Sequence, residues 1–192
     1  MPYTLRKVVS FVALAVLLVV AELLTGVLGT SDSLAGPRSA VSKGMSAEVM
    51  GVYFTPPTGS AGAIVEAIES AQQEVVVQAY GFTHNGIAQA ILRAQKRGVS
   101  VRVLMDEKSR TTNQYVIDLL IGDSVPYRLD GKHAIAHNKV MVIDTQIVVT
   151  GSYNFTNAAE TRNAENVLIL RSVELARAYR ENFEQHWAHA RP

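Results

Sequence analysis

The sequence HNKVMVIDTQIVVTGSYN, residues 137–154, is the part of the chain that says most about its fold. Apolar side chains fill most of 136–143 and of 146–150, and Asp144-Thr145 between them favours a tight turn. We therefore expect two neighbouring strands here. On both sides of them, from residue 47 to the C-terminus, short apolar strand patterns alternate with helical patterns. This alternation predicts an α/β fold, a mixed β-sheet flanked by helices in an α-β-α sandwich.

The other expected elements follow from the spacing of apolar residues. We expect strands over 48–54, 74–80, 99–105, 125–129 and 166–170, and helices over 60–72, 84–97, 113–121 and 173–187. Ser60 is expected to cap the first of these helices, because its hydroxyl can accept a hydrogen bond from a free helix amide.

The N-terminal residues differ in composition from the rest of the chain. Arg6 and Lys7 precede a mainly apolar run from Val8 to Leu28, a pattern typical of an export signal or of a membrane anchor. We therefore divide the chain into a signal peptide or membrane anchor (1–35), a linker (36–46) and a single domain (47–192). Either form of the first segment predicts that the domain is exported, to the periplasm or beyond the cell.

Charge alone does not predict a nucleic-acid-binding protein. The formal net charge is +1, whereas nucleic-acid-binding domains are often strongly basic. Basic residues are nevertheless concentrated locally, at Arg93, Lys96, Arg97, Arg102, Lys108 and Arg110. This stretch is interpreted either as a solvated helix and loop surface or as a rim that follows a phosphate backbone.

Polar residues in and after the two central strands indicate chemistry on an anion. Residues two apart in a strand face the same way, so His137 and Lys139 are expected to share a face. A lysine there offsets the charge of a phosphate, and an imidazole can attack phosphorus or move a proton. Ser152 and Asn154 add neutral hydrogen-bond donors for phosphate oxygens, and Gly151 permits close backbone approach.

Each of these residues has an ordinary structural explanation when taken alone, but their joint spacing is specific. The pattern His137-x-Lys139-x4-Asp144-x6-Gly151-Ser152-x-Asn154 resembles the HxKxxxxDxxxxxxGSxN signature of the phospholipase D superfamily. Further stretches resemble the small bacterial endonuclease branch of that superfamily, at 79–83, 97–99, 105–107, 154–161 and 164–166.

The resemblance implies a mechanism and an assembly. In this superfamily two copies of the motif meet in one active site; one histidine forms a covalent phosphohistidine and the other protonates the leaving oxygen. This chain has one copy, so a homodimer is implied in which His137 faces its symmetry mate. The resemblance makes His137, Lys139 and Glu165 catalytic, with Glu165 orienting the histidine, and gives Asp144 and Gly151 a supporting role.

No metal ion and no cofactor are expected. The chain has no cysteine, which excludes a cysteine-ligated zinc site. His133 lies four residues before His137, but the sequence around it does not favour a helix, and we expect no carboxylate to complete a metal-binding set. His84 is expected to begin a helix, and His186 and His189 are expected to have structural or surface roles.

Three functions remain open from the sequence. The first is a sequence-nonspecific endonuclease that hydrolyses DNA, with RNA as a second substrate, outside the cytoplasm. The second is a lipid phosphodiesterase acting on phosphatidylcholine or cardiolipin at a membrane, which attachment through the N-terminal segment would favour. The third is a catalytically silent module that binds phosphate or nucleic acid; the intact His137 and Lys139 argue against it.

Overall fold

The structure, a computed structural model, describes residues 44–57 and 59–192. The expected signal or anchor segment (1–35) and residues 36–43 of the expected linker lie outside the described residues. Within the described part of the chain, no helix is both long enough and apolar enough to cross a membrane.

One mixed sheet organises the described residues. Its strands are β1 (Glu48–Thr55), β2 (Glu74–Ala79), β3 (Ser100–Asp106), β4 (Tyr127–Asp130), β5 (Lys139–Ile143), β6 (Ile147–Gly151) and β7 (Glu165–Arg171). Their order across the sheet is β1-β7-β6-β5-β2-β3-β4. The neighbours among β2, β3 and β4 are parallel, and all other neighbours are antiparallel. The mixed sheet predicted from the sequence is confirmed.

Helices cover both faces of the sheet. They are α1 (Ser60–Glu69), α2 (Asn85–Lys96), α3 (Arg110–Gly122), α4 (Asn157–Thr161) and α5 (Val173–His189), with a 3₁₀ turn at Glu107–Ser109 before α3. The apolar faces of α1, α2 and α3 pack with β-strand side chains such as Val77 and Met141 in the larger core. Phe183 of α5 packs with Val142 and Val148 in a smaller core on the other face.

Helix α5 is also held to its face of the sheet by ion pairs. Arg180 binds Glu74 at the start of β2, and Arg102 of β3 binds Glu184 of α5 at 2.6 Å. α5 packs against β2 to β6. On the edge strand β1, Val52 and Phe54 keep 49% and 65% of their surface exposed. An apolar strip of the sheet therefore remains open to solvent.

The predicted cap of α1 is wrong. Gly59 is the N-cap residue and contributes no side chain, and the Ser60 hydroxyl is buried without a hydrogen-bond partner in the described residues. The Glu160 carboxylate instead accepts hydrogen bonds from the amides of Gly59 and Ala61, at 2.8 and 3.1 Å. A residue distant in sequence thus satisfies the amides that a local hydroxyl was expected to satisfy.

Candidate active site

The residues predicted to act on a phosphate come from three neighbouring strands. β5 is antiparallel to β6, and β6 is antiparallel to β7. The first residues of β5 and β7 and the last residues of β6 therefore lie at the same end of these three strands. This places His137 and Lys139 beside Ser152 and Asn154, with Glu165 on the next strand.

His137 lies in the loop before β5 rather than in a strand, so the expected alternation with Lys139 does not apply to it. Its side chain is exposed, and its ring centroid is 4.7 Å from that of Tyr80. The loop is held in place at the residue before His137, because the amide of Ala136 donates a hydrogen bond to the buried carboxylate of Asp106 at 2.8 Å. The imidazole is thus open to a substrate while its backbone is fixed.

Lys139 is buried, with only 8% of its surface exposed. Its ammonium donates to the carbonyl of His137 at 2.9 Å and lies 5.2 Å from the centre of the Tyr80 ring. Burial lowers the pKa of Lys139, and the negative charge of Glu165 partly opposes this effect. A phosphate bound beside the amine would favour its charged form, because an opposite charge at short range stabilises the ammonium.

Ser152 and Glu165 form one hydrogen-bonded group. The Ser152 hydroxyl donates to the Glu165 carboxylate at 2.5 Å and accepts from the amide of Asn166 at 3.1 Å. The other Glu165 oxygen accepts from the side chain of Asn163 at 3.0 Å. Within the described residues no hydrogen bond joins Glu165 to His137, so a single protomer does not provide the contact expected to orient the histidine.

Asn154 bridges the end of β6 to the segment that follows β2. Its side-chain oxygen accepts from the amide of Gly81 at 3.3 Å. Its amide nitrogen makes no hydrogen bond to any described residue and remains available as a donor for a phosphate oxygen. The Lys139 ammonium, the His137 imidazole and the Asn154 side-chain amide are therefore available at the same end of these strands.

The two supporting residues of the motif have structural surroundings. Asp144 lies at the other end of β5, where its carboxylate accepts from the amides of Gln72, Gln73 and Glu74 at 2.8 to 2.9 Å. Gly151 has φ of 152°, and a Cβ there would lie 2.2 Å from the carbonyl oxygen of Asn166. Only glycine fits this close approach between β6 and β7.

Comparison with known proteins identifies the family. Residues 64–187, well over half of the chain, match the family described as "Cardiolipin synthase, PLD-like domain". The chain belongs to the phospholipase D superfamily. Members of this superfamily are phosphodiester hydrolases, and the chain is a phosphodiesterase of this type.

Two relatives and one solved structure illustrate the membership. The chain is 40% identical to the phospholipase D of Rickettsia conorii over 139 residues, which are 72% of this chain and 70% of that protein. It is 31% identical to the mitochondrial cardiolipin hydrolase of Mus musculus over 65% of this chain and 56% of that protein. The crystal structure of Nuc, a phospholipase D family member from Salmonella typhimurium, superposes with a TM-score of 0.73 at 33% identity, covering 76% of this chain and 97% of Nuc.

The basic stretch singled out in the sequence is mostly engaged with acidic side chains in this superfamily member. Arg93 and Arg97 both bind Glu69, and Lys96 binds Asp123 at 3.1 Å. Arg102 binds Glu184 and Glu74 beneath α5. Lys108 and Arg110 are exposed after β3, on the side of the sheet where Asp106 holds the His137 loop. Among the six basic residues of the stretch, Lys108 and Arg110 make no ion pair within the described part of the chain.

Sequence reasoning missed residues that depend on long-range contacts. Tyr80, against His137 and Lys139, lies in a stretch that carried the family resemblance but showed no chemical signal of its own. Asp106 was likewise not singled out. The expectation that no carboxylate accompanies His133 is wrong, because Asp130 lies 3.2 Å from its Nδ1 atom.

Proposed function

We propose that this protein is a sequence-nonspecific endonuclease that hydrolyses DNA, and RNA as a second substrate, through a covalent phosphohistidine. The observation that carries the proposal is that the exposed His137 imidazole and the buried ammonium of Lys139 both lie against the Tyr80 ring, at the end of the sheet where β5 begins. An exposed histidine at the end of the strands suits a long polymer such as DNA, because the polymer can lie across the surface and does not have to enter a deep pocket. The resemblance of the sequence to the small bacterial endonuclease branch supports the same substrate class.

The chemistry follows from the groups at this end of the strands. Lys139 and the amide of Asn154 bind the non-bridging oxygens and offset the charge that develops on them. A nitrogen of His137 attacks phosphorus, and a P–N bond forms as the P–O bond to the leaving oxygen breaks. A second acid protonates that oxygen. Water then loses a proton to the same group and attacks phosphorus, which breaks the P–N bond and restores the imidazole.

The second acid is proposed to be His137 of the partner subunit. The sequence carries one copy of the motif, and two histidines are needed to serve as nucleophile and as acid. Glu165 makes no hydrogen bond to the histidine of its own chain in the described residues, so the orienting carboxylate is also proposed to come from across a two-fold axis. A homodimer completes both requirements at once.

The exposed strip on β1 supports this assembly. Phe54 pairs with Asn166 and Thr55 pairs with Glu165, so the strip adjoins the strand that carries Glu165. Val52 and Phe54 are exposed, and a second copy placed over them would bury apolar surface next to the catalytic end of the strands. We therefore propose this strip as part of the dimer interface.

A lipid phosphodiesterase is the second candidate. Ile135, two residues before His137, is 52% exposed, and an apolar side chain beside the histidine suits a lipid surface. The names of the two relatives, a phospholipase D and a cardiolipin hydrolase, are consistent with this substrate class.

A side-by-side substrate test separates the candidates. The purified domain is incubated in EDTA with plasmid DNA, RNA, and vesicles of phosphatidylcholine with or without cardiolipin, and His137→Ala is the matched control. We expect cleavage of DNA by the wild type and none by the variant. Release of a lipid headgroup without cleavage of nucleic acid would establish the second candidate, and a strict requirement for an added metal ion would contradict the proposed chemistry.

A mixed dimer tests the shared site. Wild-type and His137→Ala subunits with different affinity tags are co-expressed, and the heterodimer is isolated by two purification steps. A shared site predicts less than about 1% of wild-type activity, because the single active site of the heterodimer then lacks one of its two histidines. Two independent sites would instead leave about half of the activity.

The proposed interface is tested with Phe54→Asp. The matched control is Ile121→Asp, because Ile121 on α3 is 56% exposed and lies outside the strip. Sedimentation should show that Phe54→Asp is a folded monomer without activity, while the control remains an active dimer. An active dimeric Phe54→Asp variant would place the interface elsewhere.

A further inference from the structure

A second cluster of reactive side chains lies where β4 meets the end of α5. Asp130 is the last residue of β4, and its side chain is fully buried. Nδ1 of His186 is 2.6 Å from one carboxylate oxygen, and Nε2 of His189 is 3.2 Å from the other. Nδ1 of His133, in the loop after β4, is 3.2 Å from the carboxylate.

The four ligand atoms are close enough together to surround one ion. One nitrogen of each imidazole and one Asp130 oxygen all lie within 4.8 Å of one another. His186 and His189 are three residues apart on α5 and therefore share a helix face. Three imidazoles and one carboxylate are a donor set that suits a tetrahedral first-row transition-metal ion, with metal–ligand distances near 2.0–2.2 Å.

Strand β4 and the end of α5, which carry three of these ligands, are joined by hydrogen bonds that do not involve the histidines. Arg128 of β4 donates to the carbonyl of Trp187 at 2.6 Å. Leu129 and Arg191 exchange a pair of backbone hydrogen bonds at 2.6 and 3.0 Å. These contacts hold the end of α5 over β4, so three of the four ligands are already in place and the ion does not have to assemble them.

Exposure and charge also fit a cation site. The side chain of His133 is 44% exposed, whereas those of His186 and His189 are 16% and 23% exposed. The site thus has one open side through which an ion can enter. Asp130 is the acidic member of the cluster, and its buried carboxylate faces all three imidazoles.

We propose that Asp130, His133, His186 and His189 bind a transition-metal cation, with Zn²⁺ as the expected ion. The ion would tie the loop between β4 and β5 to helix α5. That loop also carries His137, four residues after His133, so the ion would restrain the backbone leading to the catalytic histidine without taking part in the reaction. The proposal does not depend on which phosphodiester the enzyme hydrolyses.

Metal binding is measured directly on protein without a polyhistidine tag. The protein is stripped with EDTA, dialysed, and titrated with Zn²⁺ by calorimetry, and Co²⁺ is added separately because tetrahedral Co²⁺ has a characteristic visible absorption. We expect one Zn²⁺ per chain. At a free concentration 100 times Kd, Zn²⁺ should raise Tm by about 5–10 °C.

Three variants separate this site from the active site. His133→Ala removes a half-exposed ligand with little risk to folding, and His189→Ala removes a ligand from the helix. Each should weaken Zn²⁺ binding by more than about 100-fold, beyond the effect of losing an outer-shell partner. His137→Ala is the matched control: it should bind Zn²⁺ as the wild type does while losing phosphodiesterase activity.

Two outcomes would overturn the proposal. One is stoichiometric Zn²⁺ binding that survives both His133→Ala and His189→Ala, or that is lost in His137→Ala, because the ion would then lie elsewhere. The other is a wild-type protein that binds no Zn²⁺ at one equivalent, in which case the three histidines serve only to neutralise the buried Asp130.

Discussion

The ammonium of Lys139 donates a hydrogen bond to the main-chain carbonyl of His137, 2.9 Å away. The two residues that define the motif are therefore linked through the backbone of one and the side chain of the other. This contact fixes the lysine next to the loop that presents the imidazole. In the proposed mechanism Lys139 would therefore supply a charge to the substrate as well as this restraint to the loop.

Replacing Lys139 with methionine should separate the charge from the packing. Methionine fills much of the buried volume without a cation, so the fold should be kept while kcat/KM falls by about 100-fold or more, the usual cost of losing one stabilising donor. Steady-state kinetics on DNA and thermal unfolding measure the two effects. Lys96→Met, at an exposed position on α2, is the matched control. Activity of Lys139→Met within tenfold of wild type would mean that this lysine does not bind the phosphate.

Asp144 should affect stability far more than turnover. Its carboxylate accepts three backbone hydrogen bonds between α1 and β2, at the opposite end of β5 from Lys139. Asp144→Ala should lower the free energy of unfolding by about 2–3 kcal/mol, since hydrogen bonds to a charged group are lost. Asp144→Asn should cost less, because one acceptor oxygen remains and asparagine tolerates the positive φ of 52°.

Urea unfolding and kinetics of the folded enzyme test this assignment together. Asp118→Ala, which removes an exposed carboxylate from α3, serves as the control. A folded Asp144→Ala enzyme should keep kcat within a few-fold of wild type. If it is as stable as the wild type but inactive, the residue belongs to the reaction and not to the scaffold.

The part of the site that the sequence predicted well is local. Ser152 and Asn154 follow a strand directly, and the two apolar runs around Asp144-Thr145 define a hairpin, so spacing alone brings these residues near Lys139. The placement of His137 in a strand was wrong for a non-local reason. The register of β2 with β5 ends at Ala79 and Lys139, and only one further backbone hydrogen bond follows, from the amide of Tyr80 to the carbonyl of Asn138, so His137 lies beyond the paired residues.

Most of the features that the sequence did not predict join residues far apart in the chain. Asp130 meets His186 and His189 only because β4, at the edge of the sheet, packs against the end of α5. Glu160 reaches the amides of α1 across about 100 residues of sequence. Hydrophobic periodicity identifies helices and strands. It does not predict which of their ends lie next to one another in the fold.

Glu160 should prove one of the more important polar residues for stability. It accepts hydrogen bonds from two amides at the start of α1 and, at 2.9 Å, from the hydroxyl of Tyr153. Burial raises the pKa of Tyr153, and the adjoining Glu160 carboxylate raises it further, so the phenol stays a donor. Glu160→Ala should cost about 2–3 kcal/mol and Tyr153→Phe about 1 kcal/mol.

A double-mutant cycle measured by urea unfolding tests whether these two side chains act together. Because they share one hydrogen bond, the double variant should be less destabilised than the sum of the single variants, by about 0.5 kcal/mol or more. The exposed pair Gln114 and Asp118, joined by a hydrogen bond on α3, provides a control cycle with little expected coupling. Strict additivity at Tyr153 and Glu160 would contradict the network.

His84 should make stability depend on pH. It is the N-cap of α2, and its Nδ1 atom accepts a hydrogen bond from the amide of Ile87 at 3.3 Å, which requires a neutral ring. Burial lowers the pKa of His84 below the usual histidine value of 6.5, and the charge of Glu160 partly opposes this. Because the unfolded chain then binds the proton more readily, the stabilisation is complete above pH 6.5 and is lost as the pH falls through the lower pKa of the folded state.

His84→Asn isolates this effect, because asparagine is a good N-cap residue that does not titrate. All other side chains are the same in both proteins, so the difference in unfolding free energy between wild type and variant reports on position 84 alone. Between pH 7.5 and pH 5 that difference should shift against the wild type by up to about 1 kcal/mol, the usual worth of an N-cap. A difference that stays constant, or that shifts towards the wild type at low pH, would show that the ring does not cap the helix as a neutral acceptor.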